Sequence, residues 1–234
     1  MTWVRAGRVA VHALGIAAAA WMAGGSAPPP PAAAEHGDSA TIRHSFADVE
    51  RWVAVFDDTA RAAWQMPEKL VAALGLRPGA RVADIGAGTG YFNRHFAQAV
   101  GDSGRVYAAD IEPGLVRYMA ERAARERTPQ VEPILAAADD PRLPGGLDLV
   151  FVCDTYHHID GRRAYFGRLR ARLAPAGRLA IVDFKPGELP VGPPPEHKIP
   201  PAAVIAELAA AGYELAEQPD LLPYQYVLVF RPKR

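Results

Sequence analysis

The sequence has 234 residues, the length of one domain with a short extension. Lys and Arg together number 26, as do Asp and Glu, so the formal net charge is zero. A balanced charge excludes a broad basic surface, and we therefore expect no nucleic-acid partner. The only cysteine, Cys153, excludes an internal disulfide and a cysteine-rich zinc site.

The first 34 residues differ from the rest of the chain. Arg5 and Arg8 precede an apolar run over 9–23, which small residues and prolines follow. This order is typical of a secretory signal peptide, and the run is shorter than the roughly 20 residues that span a bilayer. We expect 1–34 to be a signal peptide with a Pro/Ala linker, which gives a periplasmic or secreted protein without a stable membrane span after leader removal. If translation starts downstream, for example at Met22, the protein is cytoplasmic.

Two helices are predicted before the main fold. Apolar residues recur at helical spacing over 46–56 and again over 64–74. We expect these helices to form an N-terminal cap within 35–75. Their aromatic residues are interpreted first as helix core, although 64–67 is also placed to close over a bound ligand.

The remaining domain, 76–234, alternates short apolar strands with helices. Strands are predicted over 81–86, 105–110, 131–137, 147–154, 178–184, 213–217 and 225–230. Helices are predicted from the glycines after the first strand to about residue 100, and over 113–127, 160–173 and about 200–211. This alternation predicts an α/β fold with a doubly wound, mostly parallel seven-stranded sheet and helices on both faces. The last connection is too short for a crossover, so one strand near the C-terminus must run antiparallel.

A glycine-rich loop follows the first strand. Gly86, Gly88 and Gly90 lie where the strand turns into a helix, so the backbone can approach a ligand closely. The third glycine comes one residue too early for the dinucleotide fingerprint. Asp84, inside the strand, favours a ligand with an ammonium or hydroxyl group. Asp110 ends the second strand, where it can accept hydrogen bonds from ribose hydroxyls or serve only as a turn residue.

These motifs resemble those of the class I S-adenosylmethionine-dependent methyltransferases over about 76–230. Residues 82–90 look like the first motif and 106–110 like the ribose-binding strand end. Residues 138–150 resemble the adenine-contacting loop with the fourth strand, and 173–182 the turn into the fifth. The resemblance implies a Rossmann-like fold, S-adenosylmethionine as the cofactor, and methyl transfer to a small or medium-sized acceptor.

The resemblance also implies which residues hold the cofactor. Gly86, Gly88 and Gly90 line the methionine end, Asp110 binds the ribose, Ile111 packs on the adenine and Asp139 meets its amino group. The cofactor-binding set also includes Asp84, Ala87 and Asp154.

Candidate catalytic residues follow the fourth strand: Asp154, His157 and His158. Methyl transfer from a sulfonium depends mainly on positioning, and a base is needed only when the acceptor carries a proton. A histidine is such a base near neutral pH, and we expect at most one of this pair to face the acceptor. Alternatively, both pack in the loop. A metal site that joins His197 to them is disfavoured by the spacing, so no metal is predicted, and Lys198 is expected to be a solvated charge.

Two other functions remain open. One is a non-catalytic protein that binds S-adenosylmethionine or a nucleoside. The other is an NAD-dependent oxidoreductase, which the glycine spacing disfavours. The chain has no N/D-P-P-Y motif after the fourth strand, which argues against methylation of a base amine. We expect a small-molecule acceptor whose identity the sequence does not give, and the sequence predicts no oligomeric state.

Overall fold

The computed structural model describes residues 48–234. The predicted signal peptide and linker, and the first residues of the predicted cap, lie outside this range. Within 48–234, no helix has both the length and the apolar character that a membrane span requires.

Helices and strands alternate along the described chain. The helices are α1 Val49–Phe56, α2 Arg61–Gln65, α3 Pro67–Ala73, α4 Asn93–Val100, α5 Pro113–Glu126, α6 Arg162–Leu169 and α7 Pro201–Ala210. The strands are β1 Arg81–Ile85, β2 Arg105–Asp110, β3 Val131–Leu135, β4 Leu147–Cys153, β5 Leu173–Phe184, β6 Tyr213–Glu217 and β7 Gln225–Pro232. Short 3-10 turns occur at Tyr156–His158, Arg170–Arg172 and Pro195–His197.

The seven strands form one sheet in the order β3-β2-β1-β4-β5-β7-β6. Strands β1 to β5 pair in parallel, whereas β7 runs antiparallel to both β5 and β6. The predicted fold class, with one antiparallel strand near the C-terminus, is therefore confirmed. Ile85 pairs with Ala109 on β2 and with Val152 on β4, so three strands end together at the same edge. That edge is where ligands bind in open α/β sheets.

Apolar side chains cover both faces of the central strands. Along β4, Val150 and Val152 pack towards α6 and α7, while Leu149 and Phe151 pack on the opposite face towards α3 and α4. Successive strand residues point to opposite faces, so a strand buried on both sides must be apolar throughout. The rigid sheet beneath the three strand ends follows from this packing.

The N-terminal helices differ from the prediction. Three short helices replace the two predicted, because Met66 adopts a left-handed conformation with φ of 44° and Pro67 begins a new helix. Proline lacks the N–H that would continue the preceding helix. No residue of α1 is buried, so its aromatic side chains are not core as first interpreted.

Two boundaries near the sheet also differ from the prediction. Strand β5 begins at Leu173, five residues before the predicted 178, and its pairing with β4 shifts register between Leu147 and Leu149. The helix predicted over 160–173 covers only Arg162–Leu169, followed by a 3-10 turn. The chain leaves β4 at Asp154, whose φ of 54° turns it out of the strand.

Candidate active site

A cavity of about 510 Å³ lies at the shared strand ends. The glycine loop, the end of β2 and residues 136–138 line one side, and residues 153–160 line another. Trp52, Phe56 and Trp64 from α1 and α2 also line it. A concave site of this size at the carboxyl edge of a parallel sheet is the usual location for a small ligand.

The glycine loop lies tightly against its neighbours. Gly86, Gly88 and Gly90 have φ of 69°, 59° and 77°, which glycine adopts without strain. A Cβ at Gly86 would collide with the Thr155 side chain. The N–H groups of Gly86 and Ala87 donate to the Ala109 carbonyl at 2.8 and 3.1 Å, so they hold the loop on β2. The loop therefore gives a ligand close access to the backbone, while these donors are already used.

Asp110 lies at the end of β2 and lines the cavity. Its Oδ2 accepts from the Gly88 N–H and its Oδ1 from the Glu112 N–H, both at 2.9 Å. Burial raises the pKa of this carboxyl, and the two hydrogen bonds act in the opposite direction. The bonds fix both oxygens in place, and each oxygen retains accepting capacity for a hydroxyl group. The next residue, Ile111, is 57 % exposed and presents an apolar surface to the same cavity.

Asp84 is a buried carboxyl group on the cavity wall, only 3 % exposed. Burial, followed by the nearby charge of Asp110, raises its pKa to about 7, and Arg61 partly opposes the rise. Among residues 48–234, no hydrogen bond to the Asp84 carboxyl group occurs. A buried carboxylate of this kind is stabilised by a cation with N–H donors, so the site fits an ammonium group.

Asp154 is held by donors from distant parts of the chain. Its Oδ2 lies 3.4 Å from Nη2 of Arg61, and its Oδ1 accepts from Nε2 of Gln225. Gln65, fully buried in α2, donates to Oε1 of Gln225 at 2.6 Å and completes the chain of contacts. Burial raises the pKa of Asp154 to about 6, with Arg61 acting against the rise.

Both histidines of the 3-10 turn Tyr156–His158 line the cavity, with their ring centroids 4.2 Å apart. Both residues border the same cavity, and the expectation that at most one of them faces the acceptor stays a prediction. Nδ1 of His157 lies 2.9 Å from Oδ2 of Asp183, and the two side chains are 6 % and 1 % exposed. Burial lowers the pKa of His157, but the hydrogen bond and charge of Asp183 outweigh burial and raise it overall.

The other predicted residues lie elsewhere. Gly90 and Asp139 are not among the cavity-lining residues, and Asp139 is exposed with its carbonyl accepting from Arg168 at 2.6 Å. His197 also lies outside the cavity lining, and within 48–234 no three metal-ligating side chains are grouped for a metal ion. Lys198 is only 8 % exposed and donates to the Gly187 carbonyl at 2.7 Å, so the expected solvated charge is wrong.

Two residues at or next to the cavity, Asp183 and Arg61, escaped the sequence analysis. Asp183 has a local signal, because it is a lone carboxylate in an apolar strand, as Asp84 is. Arg61 has no such signal, since an arginine in a surface helix is ordinary. Its guanidinium lies 4.3 Å from the ring centroid of Tyr91, and both residues line the cavity. The structure therefore adds a buried His–Asp pair and a cation to the predicted site.

Comparison with known proteins shows which proteins this chain is similar to. A family model described as a methyltransferase domain matches residues 82–177. The ubiquinone/menaquinone biosynthesis C-methyltransferase UbiE of Paraburkholderia phytofirmans is 30 % identical over 122 residues, which are 52 % of this chain and 49 % of that protein. The chain thus spans about half the length of the curated relatives it matches.

Solved structures extend the likeness over most of the chain. A SAM dependent methyltransferase from Aquifex aeolicus superposes with a TM-score of 0.75 and 26 % identity, covering 80 % of this chain and 98 % of that one. Magnesium protoporphyrin IX methyltransferase (ChlM) from Synechocystis PCC 6803, solved with bound SAH, has a TM-score of 0.62 and 21 % identity over 81 % and 96 % of the two chains. Residues 82–177 thus match a methyltransferase domain, and the chain has the fold of the class I S-adenosylmethionine-dependent methyltransferases.

Proposed function

We propose that this protein is an enzyme that transfers the methyl group of S-adenosylmethionine, the cofactor of its family, to a small or medium-sized acceptor. When bound, the cofactor supplies a methyl group on a sulfonium centre, from which the sulfur departs uncharged. The observation that carries the proposal is the buried Asp84 carboxyl group, which has no hydrogen-bond donor among residues 48–234 and lies beside the glycine loop. The Asp84 carboxyl group can bind the ammonium of an amino-acid moiety, and the glycine loop lets the rest of that moiety lie close to the backbone.

The residues along the cavity suit successive parts of such a cofactor. Asp84 would bind the ammonium, and the loop at 86–88 would contact the methionine chain. Asp110 has fixed oxygens that can accept from two ribose hydroxyls. The exposed side of Ile111 and residues 136–138 would border the adenine, with Asp139 directly after them.

The acceptor would lie at the other end of the cavity. Asp154, His157 and His158 bring polar groups there, and Trp64 and Phe184 bring apolar ring surface, with their ring centroids 5.7 Å apart. A volume of about 510 Å³ falls within the range of pockets that hold drug-sized ligands. The space supports a small or medium-sized acceptor beside the cofactor.

Calorimetric titration with S-adenosylmethionine and, separately, with NAD tests the cofactor assignment. We expect S-adenosylmethionine to bind and Asp110→Ala to weaken that binding at least about tenfold, because a buried polar contact is lost. Asp148→Asn is the matched control, since Asp148 accepts from the Arg81 N–H at the opposite end of the sheet. Tight NAD binding without S-adenosylmethionine binding would overturn the proposal.

An acceptor screen with methyl-labelled cofactor separates an enzyme from a non-catalytic binding protein. We expect label to transfer to at least one small molecule in a mixed metabolite extract. Cofactor binding without transfer to any extract component, over a range of pH, supports the non-catalytic alternative instead.

We also propose that residues 1–34 direct export and that 35–75 and 76–234 form the cap and the methyltransferase domain. The basic and apolar order of the first 34 residues supports this division. N-terminal sequencing of the protein from its native cells tests it. A mature chain that begins near residue 35 fits export, whereas a cytoplasmic chain that begins at or near Met22 contradicts it.

A further inference from the structure

We propose that Asp183 positions His157 as the base that takes a proton from a hydroxyl group on an aromatic acceptor. This inference rests on the proposed methyl transfer and names both the residue pair and the acceptor class. Asp183 is a positioning residue in this arrangement, whereas His157 touches the acceptor.

The geometry of the pair fixes which ring nitrogen faces the cavity. Oδ2 of Asp183 lies 2.9 Å from Nδ1 of His157, and Oδ1 accepts from the Phe184 N–H at 2.8 Å. Because a carboxylate only accepts hydrogen bonds, Nδ1 carries the proton. Nε2 then has a lone pair, and no residue within 48–234 forms a hydrogen bond to it. His157 lines the cavity, so this lone pair is the group available to an acceptor.

The charges around His157 favour its protonated form once a proton arrives. Asp183 on β5 and Asp154 after β4 both stabilise an imidazolium, while Arg162 on α6 opposes it. Arg162 is itself paired with Glu207 at 2.7 Å, which offsets its effect on the ring. The neighbouring ring is His158, 4.2 Å away. Asp154 is likewise paired with Arg61, so the carboxylate of Asp183, in direct contact with the ring, is what holds a proton on His157.

The walls of the same end favour a flat ring. Trp64 and Phe184 bound it with aromatic surface, and Tyr91 carries the Arg61 guanidinium 4.3 Å from its ring centroid. Arg61 also lines the cavity, where its guanidinium is paired with Asp154. A ring hydroxyl, like that of tyrosine, has a pKa of about 10, so its proton passes to a histidine more readily than that of the much less acidic aliphatic hydroxyl.

The O–H bond of the acceptor breaks, its electron pair stays on oxygen, and the proton moves to Nε2 of His157. The oxygen becomes the nucleophile for the methyl group, and the imidazolium carries the positive charge beside Asp183. The proton then passes to water and restores the neutral ring.

The state of the His157 ring can be tested without any acceptor. In ¹⁵N-labelled protein, we expect the NMR signals of neutral His157 to show a proton on Nδ1 and none on Nε2. Asp183→Asn should lower the midpoint of His157 protonation by about one pH unit or more, because a buried negative charge is removed. Asp148→Asn is the control and should leave the midpoint unchanged. A proton on Nε2 in the wild type, or an unchanged midpoint in Asp183→Asn, refutes the positioning role.

The acceptor class is tested with 4-nitrophenol, whose anion absorbs at a different wavelength from the neutral phenol. With S-adenosylhomocysteine present, we expect the wild type to bind 4-nitrophenol as the anion. The pH at which the bound 4-nitrophenol is half ionised should be at least about one unit lower than in buffer. His157→Gln keeps a donor towards Asp183 but has no base, and it should lose this shift. If 4-nitrophenol does not bind, or binds with no such shift, the acceptor class is wrong.

Failure of the proposed function gives a different result from failure of this inference. Calorimetry with S-adenosylmethionine is run on each variant, and we expect affinities within about threefold of wild type, since neither change touches the glycine loop. Loss of cofactor binding in the wild type overturns the methyltransferase proposal. Intact cofactor binding with an unaltered 4-nitrophenol shift in His157→Gln overturns only the base assignment. If Asp183→Asn fails to fold, His157→Gln still decides the matter.

Discussion

Replacing Asp84 with asparagine removes an ionisable group whose pKa burial raises from 3.8 to about 7. In the unfolded chain the carboxyl group is hydrated and ionises near pH 4, whereas in the folded protein without ligand it stays protonated until about pH 7. The unfolded state therefore releases its proton first as the pH rises. The stability that Asp84 contributes is complete below about pH 4 and is lost as the pH passes through about 7.

The size of this loss follows from the shift of the pKa. Each pKa unit corresponds to 1.36 kcal/mol, so a rise of about three units amounts to about 4 kcal/mol in all. Roughly 3 kcal/mol of that falls between pH 5 and pH 8. Asp154, with its pKa raised to about 6, acts in the same direction, but it is present in both proteins and cancels in the comparison.

Urea unfolding of the protein without cofactor, followed by circular dichroism at pH 5 and pH 8, measures this difference. We expect the free energy of unfolding of the wild type to fall by about 3 kcal/mol more than that of Asp84→Asn. Asp148→Asn should keep the wild-type pH dependence, since Asp148 lies away from the cavity. If wild type and Asp84→Asn change equally between the two pH values, burial does not raise the pKa of Asp84 as argued.

Three further outcomes are expected. The affinity for S-adenosylmethionine should rise with pH through about 7, because only ionised Asp84 binds an ammonium group. Equal affinities measured by calorimetry at pH 6 and pH 8 would contradict this. Gly86→Ala should weaken that affinity at least about tenfold, since its Cβ would collide with Thr155, whereas Gly75→Ala, equally left-handed but with no atom within 4 Å, should not. The rate of methyl transfer should fall on the acidic side of its pH profile, with a midpoint above the ordinary pKa of histidine, because the pKa of His157 is raised. A midpoint at or below the ordinary pKa of histidine contradicts the assignment.

The sheet could be predicted because its signals are local. Apolar runs separated by helical spacing identify the strands, and the short link over 218–224 is enough to reverse one of the last two. The predicted positions of the strand ends are less accurate than the strands themselves. The left-handed backbone at Asp154 ends β4, and nothing in the pattern of apolar residues indicates that conformation.

The candidate site was only partly predictable. The residues of the glycine loop and Asp110 are close in sequence to the strands that hold them, so their positions follow from the strand assignments. Asp183 reaches His157 only because β5 lies beside β4, and a distance between two segments cannot be derived from spacing. Helical periodicity likewise identified an apolar face containing Trp52 and Phe56 but not what lies opposite it, which is the cavity rather than the core.

The glutamine pair at Asp154 has a consequence for how the protein is made. Gln65 and Gln225, separated by 160 positions, meet beside this carboxyl group, and Gln225 begins the last strand. On the ribosome, Asp154 emerges long before Gln225, which donates to its Oδ1. The side of the cavity at Asp154 is consequently completed late, after nearly the whole domain has been synthesised. A chain cut short before residue 225 would retain most of the glycine loop's contacts and Arg61, yet lack the donor to Oδ1 of Asp154.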